Sequence, residues 1–392
     1  MNQVAHLTRA QEFSLAIAAA VVTANAYYIH PIIGDVADHF GVSHARIGLV
    51  PALNQLALAV GIFLLLPLGD RYSNRGLTIV FAAGQTAALA LMTLAGSFEV
   101  FTLGSTLLGF FTIAPYLLPA YASKRVAVDR LGQVTALLTA GVILGILVAR
   151  VGAGVLAEHF GWRTVYWCAT ALMVAVTLAL PRLMESGERE KIASGSYPAL
   201  VLSVFPLVVS HREVLLSGAI QALNFASFIA LWLALALHLT SPEMGYGTDT
   251  VGYLAGIAAV SIFSTARLGR WSDRVGPRKA RAVFAVIQLV GISLFWPLGG
   301  SLWTVLVPLV MVNLVGPGID VTGRMTFLAL DPDLRTRLTT IYVVLMFVGG
   351  GLGSVAGTAA YDAYGWGGTC LLLVVISACL TALAWIGRRL GK

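Results

Sequence analysis

Charge is scarce in this chain. Of 392 residues only 11% are charged, 18 acidic against 25 basic, while 58% are hydrophobic and the mean hydropathy is +0.85. A soluble globule of this length needs more polar surface than that, so the composition excludes one. Cysteine is scarce too. Cys168, Cys370 and Cys379 are odd in number and fall inside apolar runs, which argues against a disulfide framework and against a metal site built on Cys/His spacing. A phosphate-binding glycine loop is missing, because the run from Gly349 to Gly357 has neither a strand nor a basic residue beside it. No nucleophile lies paired with a base, so neither an enzyme nor a cofactor is expected. No apolar run carries a continuous polar stripe, which disfavours a pore. The first run lacks a basic leader and a small-residue cleavage site, and is expected to be a helix rather than a removed signal.

What the chain does have is apolar length. Twelve stretches are long enough to cross about 30 Å of hydrocarbon at about 1.5 Å per residue. They are 13–34, 47–68, 77–97, 100–123, 132–157, 162–182, 214–239, 250–269, 280–299, 302–323, 338–361 and 366–387. The expected fold is therefore an all-α membrane protein of twelve transmembrane helices. With the N-terminus placed inside, 21 of the 25 basic residues fall on the inner side, Arg46 and Arg163 fall outside, and Arg150 and Arg267 lie within spans. That bias follows the positive-inside rule and puts both termini in the cytoplasm. It also accounts for the basic pI without any nucleic-acid partner.

The chain is written twice. Asp70 and Asp273, each followed by an arginine in a short charged block, are 203 residues apart (273 − 70), and Gly161-Trp162 returns as Gly365-Trp366 after 204 (365 − 161). Two pseudo-symmetric six-helix bundles follow, residues 1–182 and 213–392. The connection 183–212 carries Glu185, Glu188, Arg189, Glu190 and Lys191, then an apolar piece from Pro198 to Val209. Twelve residues cover only about 18 Å as a helix, so this piece is expected to lie at the interface rather than to cross. The fifth and eleventh spans are glycine-rich, with Gly141, Gly145, Gly152 and Gly154 in one and Gly349, Gly350, Gly351, Gly353 and Gly357 in the other. Small residues at such spacings let helix backbones approach in lipid.

The two charged blocks resemble the loop motif of the major facilitator superfamily, nearest its twelve-span drug:proton antiporters and sugar-efflux-like permeases. The second copy matches better, with Gly269, Asp273, Arg274, Gly276, Arg278 and Lys279; the first keeps Asp70, Arg71 and Arg75 but has Leu66 at the opening glycine position. The resemblance implies alternating access around one central site between two bundles. In that setting Asp70 is expected to face the start of span eleven near Arg337, and Asp273 the start of span five near Gly132, as cytoplasmic latches.

The resemblance also implies that spans one, four, seven and ten line a cavity at mid-depth. Counting inward places Asn25 and Tyr28, Phe111 and Tyr116, Gln221 and Asn224, and Asn313 there. Asn25 and Asn224, 199 apart (224 − 25), are expected to face one another. Four further groups are candidates for coupling or charge. Arg150 lies within snorkelling reach of the outer interface and is expected either to bind an anion or to lock helices. Asp320 is placed to pair with Arg324 at i,i+4. His30 beside Pro31 suits an interfacial residue or a proton site, and Asp35 lies at the outer end of span one. The chain also departs from the antiporter pattern: Ser105 stands where span four usually has arginine, Ile146 replaces the expected proline, and Ala149-Arg150 replace a glycine pair.

Together these features imply a monomeric secondary transporter in the bacterial cytoplasmic membrane that exports a small organic solute in exchange for protons. Uptake driven by protons or cations is the alternative. A membrane-embedded sensor or enzyme is a more distant one.

Overall fold

In the computed structural model the described residues are 7–127, 130–184, 197–202, 204–328 and 334–390, and every regular element among them is helical. In order these are α1 (Arg9–Ala24), α2 (Ile29–Phe40), α3 (His44–Ile47), α4 (Leu49–Leu65), a 3-10 turn (Leu66–Asp70), α5 (Asn74–Thr93), α6 (Phe98–Phe111), α7 (Ala114–Ser123), α8 (Leu131–Phe160), α9 (Trp162–Leu183), α10 (Tyr197–Leu202), α11 (Val204–Ser210), α12 (Arg212–Leu239), α13 (Thr248–Ile257), α14 (Val260–Val275), α15 (Pro277–Leu298), α16 (Leu302–Leu328) and α17 (Arg335–Leu390). Among the described residues ten helical stretches are long and apolar enough to cross a bilayer. The charged linker residues Glu185, Glu188, Arg189, Glu190 and Lys191 lie outside the described residues, as does the side chain of Asp70.

Several expected spans are not single helices. Span one is interrupted at residues 25–28, span two at Gly48, and span four at Thr112–Ile113. Each interruption sits where a proline four residues on cannot donate to its carbonyl: Pro31 to Tyr27, Pro51 to Ile47, Pro115 to Phe111. The missing N–H and the clash of the ring with that carbonyl end the first segment and start a new one. Span eight divides at Ala258–Ala259 without a proline. The 56-residue α17 carries a non-helical Gly365 at its centre (φ 62°, ψ −156°).

Gly161, between α8 and α9, has φ 81° and ψ 154°. It stands 204 residues before Gly365, and only glycine enters that backbone region readily. The two half-chains therefore turn on the same residue type in the same region of backbone space. Helix contacts repeat in the same way. A side chain at Gly145 of α8 would strike the carbonyl of Ala20 in α1, and one at Gly349 of α17 that of Ala222 in α12. Gly141 meets Ala16 and Gly353 meets Ala226 in the same manner, so these four glycines do let backbones approach. Gly152 faces open space, and Gly350 and Gly351 meet the side chains of Phe225 and Leu56 instead.

In the segment from Pro198 to Val209 the described residues are helical, within α10 and α11. Tyr197 anchors its start by donating from its hydroxyl to the Leu64 carbonyl at 2.5 Å.

Candidate functional site

Call the end of the molecule where α1 begins and α17 finishes the termini end, and the opposite end the far end. At the far end the two half-chains meet through contacts that are copies of one another. Gly154 of α8 lies so close to Gly252 of α13 that a Cβ on either would press on the other's backbone. Gly48, between α3 and α4, lies against Thr358 of α17 and accepts a 2.7 Å hydrogen bond from Ser354 Oγ at its carbonyl. Gly252 stands 204 residues after Gly48 (252 − 48), and Thr358 stands 204 after Gly154 (358 − 154). One turn further out, Glu158 Oε2 accepts from the backbone N–H of Thr248 at 2.8 Å and from its hydroxyl at 3.2 Å. Asp362 Oδ1 accepts from the backbone N–H of His44 at 3.1 Å. Both pairs keep the 204 offset (362 − 158 and 248 − 44). Thr248 and His44 are the first residues of α13 and α3, where amide groups have no partner within the helix. Each half-chain thus supplies a carboxylate that caps a helix start in the other.

The termini end differs. Along α8 a groove of about 710 Å³ is lined by Leu131, Gly132, Thr135, Thr139 and Ile143 among others. Gly132, Ile143 and Gly154 recur in steps of 11 residues, three helical turns, so the groove occupies the same face of α8 that is sealed against α13 at the far end. α14, which continues α13, packs against α15 and α16 and has no comparable contact with α8. On the opposite side, an apolar cluster containing Leu58 and Ile62 of α4 with Ile341 and Phe347 of α17 continues toward the termini end.

The second copy of the loop motif does not bridge the halves, contrary to the latch expected of Asp273, whereas the latch expected between Asp70 and the start of span eleven lies outside the described residues. Asp273 is exposed and has no partner among the described residues, and it does not engage the start of α8 near Gly132. Arg75 donates to the Pro181 and Met184 carbonyls at 2.9 and 2.6 Å, and Arg278 pairs with Glu213 at 2.9 Å, each within its own half of the chain. Arg274 and Lys279 are exposed, Arg71 is half-buried, and Gly269 is crowded by nothing. Gly276, at φ 92°, makes the turn from α14 into α15. The physical reason is that α14 makes no comparable contact with α8, so the start of α8 is not within reach of Asp273.

At mid-depth the expected cavity residues divide into two groups. Asn224 donates to Gln221 Oε1 and to the Gly316 carbonyl, both at 3.2 Å, tying α12 to α16. Asn313 turns back on its own helix, donating to Leu309 at 2.8 Å. Asn25 is buried with neither amide atom partnered, so Asn25 and Asn224 do not form the expected facing pair. Their offset of 199 departs from the 204 that governs the equivalent contacts. Tyr28 is buried, Phe111 packs over Gly84, and Tyr116 is half-buried near Asp320 and Arg324 of the other half. The sequence reading missed Gln85, whose amide donates both to the Val22 carbonyl and to Thr112 Oγ1, at 3.0 and 2.9 Å, joining α1 to the break between α6 and α7. Ser105, at the usual arginine position, bonds the Val50 carbonyl and serves α4–α6 packing.

The charges within spans are the most unusual feature. Asp320 does pair with Arg324, at 3.1 Å, and also accepts from the Tyr342 hydroxyl at 2.8 Å. Arg150 does not snorkel. It is only 1% exposed and points inward, where its Nη2 lies 2.9 Å from His30 Nδ1. Its guanidinium lies over the rings of Tyr27, Phe228 and Trp232 at 5.3, 4.7 and 4.7 Å. His30 is likewise buried rather than interfacial. Asp35 is partly exposed, within electrostatic reach of Asp38 and Glu158. A second buried arginine, Arg281, donates to Ser217 at 2.8 Å and lies 4.0 Å from Glu213.

The far-end residues Gly48, Glu158, Thr248, Gly252, Thr358 and Asp362 were not singled out from the sequence. Their signal was present, since all keep the offset set by Gly161 and Gly365.

Comparison with known proteins agrees with this architecture. The family model described as Major Facilitator Superfamily matches residues 15–329. An uncharacterized transporter of Escherichia coli O157:H7, YgaY, is 29% identical over 371 residues, covering 95% of this chain and 93% of the relative. The multidrug resistance protein MdtG of Escherichia fergusonii is 26% identical over 254 residues, 59% of each chain. Among solved structures, a mutant of the nucleoside transporter NupG superposes with a TM-score of 0.79 at 14% identity, covering 96% of this chain and 99% of that one. With the family model spanning most of the chain and the helices long and apolar throughout, the chain belongs to the Major Facilitator Superfamily and is a multi-pass membrane transporter of a small solute.

Proposed function

We propose that the protein is a secondary active transporter that moves a small organic solute by rocking two six-helix bundles, residues 1–182 and 213–392, about a mid-membrane site. On this reading α13 with α14 counts as one span and α17 as two, divided at Gly365, which makes twelve. The termini end faces the cytoplasm of a bacterial cell, in keeping with the basic residues gathered there. The observation that carries the proposal is the paired far-end closure. The two helix caps, at about 1 kcal/mol each, would bias closed over open by about 30-fold. Such a bias holds a gate shut and is small enough for substrate binding to reverse.

Efflux is the favoured direction, supported by the partial likeness to MdtG. Asp320 is the proposed proton acceptor. Its protonation would remove the charge that neutralises Arg324 and loosen the Tyr342 contact between α16 and α17. Because Ser105 lacks the charge of the usual antiporter arginine, coupling would run through this second-half cluster.

The test is a reversible lock. In a background without Cys168, Cys370 and Cys379, Glu158→Cys with Thr248→Cys should form a far-end disulfide that stops solute movement in proteoliposomes, and reduction should restore it. Undiminished transport with the far end locked would contradict alternating access.

A further inference from the structure

Arg150 sits ten residues from the Phe160 end of α8, about 15 Å below it by helical rise, and therefore near the middle of a bilayer. An arginine there is rare and needs an explanation beyond packing. Among the described residues no carboxylate lies within 4.0 Å of its guanidinium, whereas Arg130, Arg278 and Arg324 each have one. Its hydrogen-bond partner is neutral. Because a guanidinium only donates, His30 Nδ1 accepts, and the imidazole proton resides on Nε2.

The donors of this cluster are left without acceptors. Arg150 Nε, His30 Nε2 and Trp232 Nε1 are all buried and unpartnered. Each is an N–H, so the unmet requirement is for an acceptor. The aromatic faces stabilise the positive charge but offer nothing to N–H groups in the plane of the guanidinium. The same rings make an apolar wall. Two of them, Phe228 and Trp232, belong to α12 of the second half, whereas Arg150 and His30 come from α8 and α2 of the first. A ligand accepted here would be shared between the halves, beside the break in span one at residues 25–28.

We propose that Arg150, oriented by His30, forms with Trp232 the anion-binding end of the transported solute's site, and that the solute is an organic acid whose carboxylate meets the Arg150 and Trp232 donors and whose body is aromatic or aliphatic. The inference deepens the transporter reading and rests on it. Arg150 also explains why the chain departs from the family pattern at this position of span five: Ser354, its counterpart 204 residues on (354 − 150), bonds the Gly48 carbonyl and needs no charge.

The experiment is thermal unfolding of the purified full-length protein with benzoate, phenylacetate and hexanoate, each compared with its uncharged amide. In the wild type the acids should raise Tm in a dose-dependent manner and the amides should not. Arg150→Gln should weaken the apparent affinity for acid by about 10- to 100-fold, the range for a hydrogen bond to a charged group. Trp232→Phe, which keeps an aromatic face but removes the indole N–H with part of the ring, should weaken it by a smaller factor, and Arg150→Lys should retain part of the affinity. If Arg150→Gln does not fold, Arg150→Lys and Trp232→Phe decide the matter. Equal effects of acid and amide on the wild type, or equal acid affinity in the wild type and all three variants, would overturn the proposal. Acid binding without acid flux in proteoliposomes would leave the anion site standing and sink the transport reading, whereas a working far-end lock without acid binding would do the reverse.

Discussion

At Glu158 and Asp362 a carboxylate at the end of one helix decides whether a helix start in the other half keeps its cap. Both acids are exposed, so each cap is held to about 1 kcal/mol and the full bias needs the two together. Replacing both with alanine should raise the labelling rate of a cysteine introduced at the buried far-end position Val251 by about tenfold or more, with the single variants in between. At the termini end, Asp320→Asn would leave Arg324 half-buried without its counter-charge and should abolish proton-driven transport. Tyr342→Phe removes one hydrogen bond of about 1 kcal/mol and should slow transport only several-fold. A pH-jump flux assay separates the two, and full activity in Asp320→Asn would remove that carboxylate from coupling. Little at this scale was legible beforehand. The Asp320–Arg324 pair followed from i,i+4 spacing because both partners share one helix. The inward direction of Arg150 depends on which face of α8 meets α12, and a single chain's spacing carries no such information. Glu158 and Asp362 look like ordinary loop-edge acids until the 204 offset is applied to them.

Whole helices show what glycine does in each setting. Gly145 and Gly349 join helices inside one half, while Gly154 and Gly252 join helices across the gap. A larger side chain should therefore have different consequences at the two kinds of site. Gly145→Leu overpacks against the Ala20 carbonyl at about 1–3 kcal/mol and should lower the unfolding temperature. Gly154→Val meets backbone that can move away, so it should leave the unfolding temperature nearly unchanged while opening the Val251 reporter to labelling. A matching loss of stability in both variants would mean that the far-end contact is part of a rigid core rather than a gate. Apolar length located the helices well, because burial in lipid demands it. The interruptions at residues 25–28, Gly48 and Thr112 could have been anticipated from Pro31, Pro51 and Pro115. Pro308 and Pro317, by contrast, lie inside an uninterrupted α16, so proline alone does not specify a break.

The molecule as a whole is sealed at one end and grooved at the other along a single face of α8. Duplication was readable from two anchors, the charged blocks and the Gly-Trp pairs, since tight turns constrain sequence more than apolar helices do. The state of the gates was not readable, because one sequence must support both closed and open arrangements. Hence Asp273, expected to clamp, is instead exposed while the far end is shut. Spin-label distance measurements test this account most directly, with one pair at the far end on His159 and Glu243 and another at the termini end on Gln133 and Arg270, all exposed positions. The account predicts reciprocal distributions: conditions or variants that lengthen the far-end distance, such as the Glu158 and Asp362 double replacement, should shorten the termini-end distance. Distances that lengthen together, or a termini-end distribution that ignores the far end, would contradict two bundles rocking about one site.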